Sequence, residues 1–262
     1  MQLQIECLSF CNAKCCFCPY PSMERPKGIM DMDLFRKIID EATEIPVIDH
    51  LTLNGLGEPM MDKFLLERIG YARKKMGGIN IDFYTNGSLL KGKAKALKEA
   101  GLTHLFISLN AVRQATRKDI MGLGDFDNVV EGIREVKAAG IPIHVLMTVN
   151  KDLMEQSDVA MLQAMFPEEN MPHLEGNWAG WSYKPRVAQT ATCERAIGQI
   201  MILWDGRVAL CCQDSEGHVC FGNVKEQTIR EVYNSPEYVR YREFHMEGKR
   251  SQLKLCNVCT TN

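Results

Sequence analysis

The sequence predicts an α/β protein: a partial, TIM-like (β/α)6 barrel over residues 1–185, then a small cysteine-bearing domain over 186–262. Short strand-like runs alternate with helical periodicity through the first 180 residues or so, and such alternation builds parallel βαβ units. Six units fit an open barrel better than a closed eightfold one. Beyond residue 185 the rhythm stops, and cysteines recur at 193, 211, 212, 220, 256 and 259.

The strand-like runs are 2–9, 48–54, 79–86, 104–110, 142–150 and, more weakly, 173–178. Helical patterns fall near 31–45, 62–76, 88–100, 112–139 and 152–165. In the first helix Leu34, Phe35, Ile38, Ile39 and Ala42 share one face, with Asp31 and Asp33 at the positive N-terminal end. Strand side chains alternate faces. "HLTLN" sets His50, Thr52 and Asn54 opposite Leu51 and Leu53. "NIDFYTN" sets Asn80, Asp82, Tyr84 and Asn86 opposite Ile81, Phe83 and Thr85. "HLFISLN" and "HVLMTVN" do the same with His104, Phe106, Ser108 and Asn110, and with His144, Leu146, Thr148 and Asn150. The apolar face must meet the covering helices, so the polar face lines the lumen. A structural barrel fills its lumen with branched apolar side chains; this one is built to be wet or to hold a polar ligand. An exposed sheet face would show the same alternation, but helix-covered parallel sheets are usually buried on both sides.

In the second domain "QIMILWDGRVALCC" and "HVCFGNV" predict an antiparallel pair around an Asp-Gly turn. "QTIREVYN" and "SPEYVRYREFHMEG" predict two short helices, the second with Ser235 as N-cap and Pro236 at its first position.

Composition sets the surroundings. The chain has 262 residues, 45% hydrophobic and 24% charged, ordinary for a soluble globular protein. A net charge of −2 argues against a nucleic-acid footprint. Basic runs such as "RKK" lie in helical patterns and read as solvated faces. No run of about 18 apolar residues predicts a membrane span, and "MQLQIECLSF" lacks a secretory pattern. A cytoplasmic protein is expected. There, eleven cysteines read as metal ligands or buried thiols before disulfides.

"CNAKCCFC" places Cys11, Cys15 and Cys18 as C-x3-C-x2-C just after the first strand, at the barrel mouth where active sites form. Structural zinc favours four closed ligands, commonly in C-x2-C pairs. Three thiolates suit a [4Fe–4S] cluster with one iron left open for a chelating small molecule.

This loop, with Phe17 at its aromatic position, resembles the cluster loop of the radical S-adenosylmethionine superfamily. "GLGEP" (55–59), "YTNG" (84–87) and "ISLN" (107–110) resemble, in order, the ends of its second, third and fourth strands. Leu56 departs from the usual glycine pair. The resemblance implies that Cys11, Cys15 and Cys18 hold the cluster and that S-adenosylmethionine chelates its open iron. It implies that Gly57 and Glu58 bind the cofactor's amino group, with Phe17, Asn86, Ser108 and Asn110 around the rest. Plainer roles also fit: Glu58 as a helix-start carboxylate and Asn86 as an Asx turn. Cys16 is expected to be a bystander.

Cys193 and Cys211, joined as C-x12-G-x4-C, and Cys256 and Cys259 as C-x2-C resemble the shortened SPASM pattern called a twitch domain. The implied cofactor is one auxiliary [4Fe–4S] cluster; a four-thiolate zinc site is the competing reading. In length and cysteine layout the chain is similar to radical S-adenosylmethionine enzymes of the 2-deoxy-scyllo-inosamine dehydrogenase type. This implies reductive cleavage of S-adenosylmethionine and hydrogen abstraction from a small polar substrate. A two-electron oxidation is expected, with a flavodoxin or ferredoxin as reductant. The alternatives are a peptide-modifying maturase, a radical epimerase using Cys220 or Cys212 as hydrogen donor, or an iron–sulfur or zinc protein without turnover.

Overall fold

A computed structural model describes residues 1–149, 156–174 and 192–259. Asn150, the 175–178 end of the sixth expected strand, the start of the helix expected at 152–165 and the 185/186 domain boundary lie outside them. Among the described residues the strands are β1 (Gln2–Ile5), β2 (His50–Thr52), β3 (Asn80–Thr85), β4 (His104–Ser108), β5 (Ile143–Val149), β6 (Asn170–Leu174), β7 (Gln199–Ile202), β8 (Arg207–Ala209) and β9 (Cys220–Asn223). The helices are α1 (Met32–Thr43), α2 (Leu65–Met76), α3 (Ala94–Ala100), α4 (Gln114–Met121), α5 (Phe126–Ala138), α6 (Gln156–Met165), α7 (Glu194–Gly198), α8 (Ile229–Tyr233) and α9 (Pro236–Met246).

The first six strands run parallel in sequential order, each bonded to the next. This is the partial barrel with helix-linked strands that the sequence predicts, its sheet extended beyond β1 by the C-terminal region. The apolar strand positions turn outward to the helices: Leu3, Ile5, Leu51, Ile81, Phe83 and Leu105 are fully buried against residues such as Phe35, Ile39 and Ile69.

The hairpin β7–β8 forms around the Asp-Gly turn, and β9 pairs antiparallel with β8. This unit does not stand apart from the barrel. β7 lies parallel to β1 in register, Gln2 opposite Gln199 and Ile5 opposite Ile202, so one nine-stranded sheet runs from β6 to β9. Further contacts weld the two regions. The Lys37 ammonium on α1 donates to the Val224 carbonyl at 2.7 Å, and Glu41 accepts the Ile229 N–H at 2.8 Å. Arg25 forms a buried two-toothed ion pair with Glu6 at 2.8 and 2.5 Å while its Nε donates to the Ser215 carbonyl at 2.7 Å.

Four boundaries differ from expectation, each for a local reason. The first strand ends at Ile5 because residues 6–9 peel away to begin the cysteine loop, leaving only a bridge between Leu8 and Ile29. The third helix starts at Ala94, after turns around Gly87 and Gly92, both at positive φ. The pattern at 112–139 is two helices, broken where Gly122 caps α4 in a left-handed conformation at φ +71°. β6 begins at Asn170, ahead of the expected 173, and carries Pro172 at the sheet edge, where a missing N–H is tolerated.

Candidate functional site

The cysteine loop is held by backbone. A helix leaves its last carbonyls without intrahelical partners, and at α4 the loop uses them. The Lys14 and Cys16 amides donate to the Met121 and Ile120 carbonyls, each at 2.9 Å. The Cys11 N–H donates to the Tyr20 hydroxyl at 2.9 Å, and the Cys18 N–H to the Cys15 carbonyl at 3.1 Å. Cys11, Cys15 and Cys18 are thereby brought together, while the Cys16 side chain is exposed. Burial raises the pKa of all three thiols. Cys15 is raised further by Cys18 and Cys11, and Cys18 reaches about 11. Three thiolates cannot share this loop without a compensating cation, which is what a metal cluster supplies.

The second loop docks onto the first. The Glu58 N–H donates to the Phe10 carbonyl at 2.7 Å. A Cβ at Gly57 would stand 2.1 Å from the Leu8 carbonyl oxygen, so only glycine lets these two backbones meet. Leu56, in place of the usual glycine, keeps the path: its N–H donates to Glu6 at 3.1 Å. Glu58 is fully buried and accepts the Met60 N–H at 3.0 Å, the Thr85 hydroxyl at 2.7 Å and the Asn86 N–H at 2.7 Å. Burial raises its pKa against these bonds. It therefore does start a short helical turn, Pro59–Met61, but it also ties that turn to the end of β3. Asn86 forms the Asx turn, accepting the Ser88 N–H at 2.9 Å. Its amide also donates to Asn12 Oδ1 at 2.7 Å and lies against the Cys11 thiol.

The remaining expected cofactor contacts are more dispersed. Phe17 is half-buried on the cysteine loop and Ser108 half-buried at the end of β4. Asn110 is buried, adopts φ +55°, and spends its Oδ1 on the Thr148 N–H at 2.8 Å. Sequence reasoning missed Arg117. This fully buried guanidinium on α4 donates to the Asn86 and Leu109 carbonyls at 2.7 and 2.8 Å and to Asp125 at 2.7 Å. It lowers the pKa of both Cys15 and Glu58. No motif marks it; an arginine inside an amphipathic helix is read as surface.

The second cysteine set converges too. Cys193, Cys211, Cys256 and Cys259 line one cavity, together with Arg195, Gln213 and Arg250. Burial drives the Cys211 thiol strongly upward and the Cys256 thiol to about 12, and both are raised further by neighbouring cysteines. Among the described residues no three His, Cys, Asp or Glu side chains are grouped as a single metal ion requires. The four thiols of the second set line one shared pocket, and cysteine thiolates are the ligands that hold iron–sulfur clusters. His245, fully buried, accepts the Cys193 N–H on Nδ1 at 3.4 Å and meets Cys256 Sγ through Nε2 at 3.4 Å. Burial and then Arg250 hold its pKa down at about 4.

The polar strand face carries a connected set of side chains. His50 and Thr52 both bond Asp82, Thr52 at 2.7 Å, and Gln2 donates to Thr52 at 2.7 Å. Tyr84 and Phe106 stack at 4.4 Å, followed by His104 and His144. The Tyr84 hydroxyl is pushed to about 12 by burial, then by Asp82 and Cys212, against a lowering effect of Arg195. Arg195, which lines the second cysteine cavity, thus exerts its charge on this face. Cys212 acts on Tyr84 in the same way; Cys220 lies on β9 beside Arg207, its thiol donating to the Gly217 carbonyl at 3.2 Å.

Residues 5–162 match the radical SAM superfamily, and residues 193–260 match the SPASM iron–sulfur cluster-binding domain. The chain belongs to the radical SAM superfamily. It is a radical SAM enzyme with a SPASM domain, and its cofactors are a [4Fe–4S] cluster, S-adenosylmethionine and an auxiliary iron–sulfur cluster. It is 33% identical over 155 residues to a probable GTP 3′,8-cyclase of Saccharolobus islandicus (strain L.S.2.15 / Lassen #1), covering 59% of this chain and 49% of that protein. The chain thus spans about half the length of the curated relatives it matches. The fold of this radical SAM enzyme is similar to that of BtrN in complex with AdoMet and 2-DOIA (TM-score 0.73, 20% identity, 99% of this chain and 92% of that one). It is also similar to Streptococcus suis SuiB bound to its precursor peptide SuiA (TM-score 0.76, 14% identity, 98% and 69%). No helix among the described residues is long and apolar enough to cross a membrane.

Proposed function

We propose that this radical SAM enzyme oxidises a small polar substrate by two electrons, with the auxiliary cluster receiving the second electron. The observation that carries the reading is Tyr84 on the polar strand face, whose hydroxyl is influenced by Asp82, Cys212 and Arg195, the last of which also lines the pocket of the second cysteine set.

Cys11, Cys15 and Cys18 would hold the first cluster. When reduced, by a flavodoxin- or ferredoxin-type donor, a cluster with an open iron supplies the electron that cleaves S-adenosylmethionine and generates the hydrogen-abstracting 5′-deoxyadenosyl radical. Gly57 keeps the two loops in contact, and Glu58, Asn86, Phe17, Ser108 and Asn110 border the position where the cofactor would lie. Arg117 braces the ends of β3 and β4 beneath it. The substrate would sit on the lumen face. There a C–H(OH) carbon would lose one hydrogen atom, one proton and one electron, the electron going to the cluster that Cys193, Cys211, Cys256 and Cys259 would hold. A carbonyl product balances these losses.

Epimerisation is the second reading, favoured by Cys212, whose charge acts on Tyr84, since a thiol there could return a hydrogen atom. The test is anaerobic turnover with dithionite and S-adenosylmethionine against amino sugars, cyclitols, nucleosides, peptides and lipids. Substrate-stimulated 5′-deoxyadenosine with hydroxyl- or amine-rich small molecules, plus an oxidised product, is expected. A Cys256→Ala, Cys259→Ala variant that keeps its first cluster should cleave the cofactor yet form little oxidised product. Stimulation by peptides alone would replace the reading with a maturase. Solvent deuterium on the substrate carbon without net oxidation would replace it with an epimerase.

A further inference from the structure

Helix α9 buries Tyr238, Tyr241 and His245 along one side. Tyr238 stacks on Phe221 at 4.1 Å, and Tyr241 meets the same ring edge-on. The third position of this aromatic stripe is a histidine with no exposed surface. An imidazole in an apolar slot is costly unless both nitrogens are satisfied. Here they are, and both partners belong to the auxiliary cysteine set. Nδ1 faces the Cys193 amide at 3.4 Å. A backbone amide can only donate, so Nδ1 is the acceptor and the ring proton sits on Nε2. Nε2 faces Cys256 Sγ at 3.4 Å, so that proton points at the sulfur. The Thr192 hydroxyl donates to the His245 carbonyl at 3.0 Å, pinning the same strap of chain to the end of α9.

We propose that His245 is a positioning residue for the auxiliary cluster: its Nε2–H donates to the Cys256 thiolate and makes that cluster easier to reduce, while Nδ1 fixes the backbone of Cys193. The inference rests on the assignment of Cys193, Cys211, Cys256 and Cys259 as cluster ligands. Its physics is general. An N–H directed at a ligating sulfur stabilises the added negative charge of the reduced cluster, and such bonds are one of the protein's levers on cluster potential. A cluster that must accept an electron from a substrate gains from a raised potential.

The two nitrogens can be separated by substitution. His245→Asn places an acceptor near Nδ1 and none of the donor reach of Nε2. His245→Gln places an amide N–H near Nε2. His245→Phe removes both. The variants are made in a Cys11→Ala, Cys15→Ala, Cys18→Ala background, so that the auxiliary cluster is read alone, and its midpoint potential is measured by spectroscopically monitored redox titration. The background protein should hold about four irons. Its midpoint should shift negative in the Phe and Asn variants and stay near the parent value in the Gln variant. An unchanged midpoint in a Phe variant that keeps its iron overturns the proposal, as does a shift in Gln but not in Asn. If Phe loses its iron, the Asn and Gln pair decides. Loss of iron from all three shows a purely structural role and also overturns it. A background protein that binds no iron removes the ligand assignment itself, and that failure is visible before any His245 variant is made.

Discussion

At Gly57 two loops that belong to different strands touch through their backbones. Gly57→Ala puts a methyl group 2.1 Å from the Leu8 carbonyl oxygen, and because the obstacle is backbone, the cysteine loop must move. Iron bound by Cys11, Cys15 and Cys18 should fall well below the wild-type content while auxiliary iron is retained, as an iron assay on the two cysteine-knockout backgrounds would record. Glu58→Gln offers an NH2 to a position that three donors already face. One donor is then left buried without an acceptor, at a cost of about 1–3 kcal/mol, measurable by denaturant titration. His50 gives a pH signature. Its hydrogen bond to Asp82 raises its pKa above 6.5. The native state therefore holds that proton more tightly, and the stabilisation is full below pH 6.5 and lost as pH rises through the raised value. The stability gap between wild type and His50→Gln should be widest near pH 6 and narrow towards pH 8; a gap independent of pH would remove the pair from the account. At this scale the grouping of Cys11, Cys15 and Cys18, the helix-start role of Glu58 and the Asx turn of Asn86 were legible, because each is a local pattern. Arg117 and His245 were not, since both sit inside helices and acquire their meaning from chain that arrives from elsewhere.

The break between α4 and α5 matters more than the helices it separates. Gly122 ends α4 in a left-handed conformation, and this leaves the Ile120 and Met121 carbonyls open to the Lys14 and Cys16 amides. A continuous helix over 112–139, as the periodicity suggests, would use those carbonyls itself. Gly122→Ala strains the left-handed position by roughly 1–2 kcal/mol. It should lower Tm and loosen the cysteine loop together, the latter read as faster hydrogen exchange at 11–18. The periodicity was legible and the break was not, because "GLG" is too short an interruption to outweigh two flanking amphipathic stretches. The lumen face illustrates the opposite case. Period-two alternation placed His50, Thr52, Asp82 and Tyr84 on one side without any tertiary information, and their contacts with one another follow from strand register.

The molecule as a whole has two cysteine-lined centres on one continuous nine-stranded sheet. Reconstituted protein should hold about eight irons per chain, from two four-iron clusters, and the triple substitution at Cys11, Cys15 and Cys18 should retain about half. Iron near four with one tightly held zinc would remove the second cluster. Chelating the auxiliary iron should loosen 192–259 first, since metal binding and folding are coupled. Protection of β3 and β4 should persist, as hydrogen exchange followed by mass spectrometry would show.

The parallel pairing of β1 with β7 also dictates when the protein can finish forming during its own synthesis. β1 leaves the ribosome well before β7, and the strand that satisfies one of its flanks, with Gln2 opposite Gln199, is encoded nearly two hundred codons later. At ordinary elongation rates of about 5–20 residues per second, that is a wait of roughly 10–40 s. Through that interval the nascent chain carries a half-paired strand next to the thiols of Cys11, Cys15 and Cys18. Loading of the first centre during translation would therefore occur on an unfinished sheet, and slowing the ribosome over the stretch before β7 should increase capture of the chain by holdase chaperones.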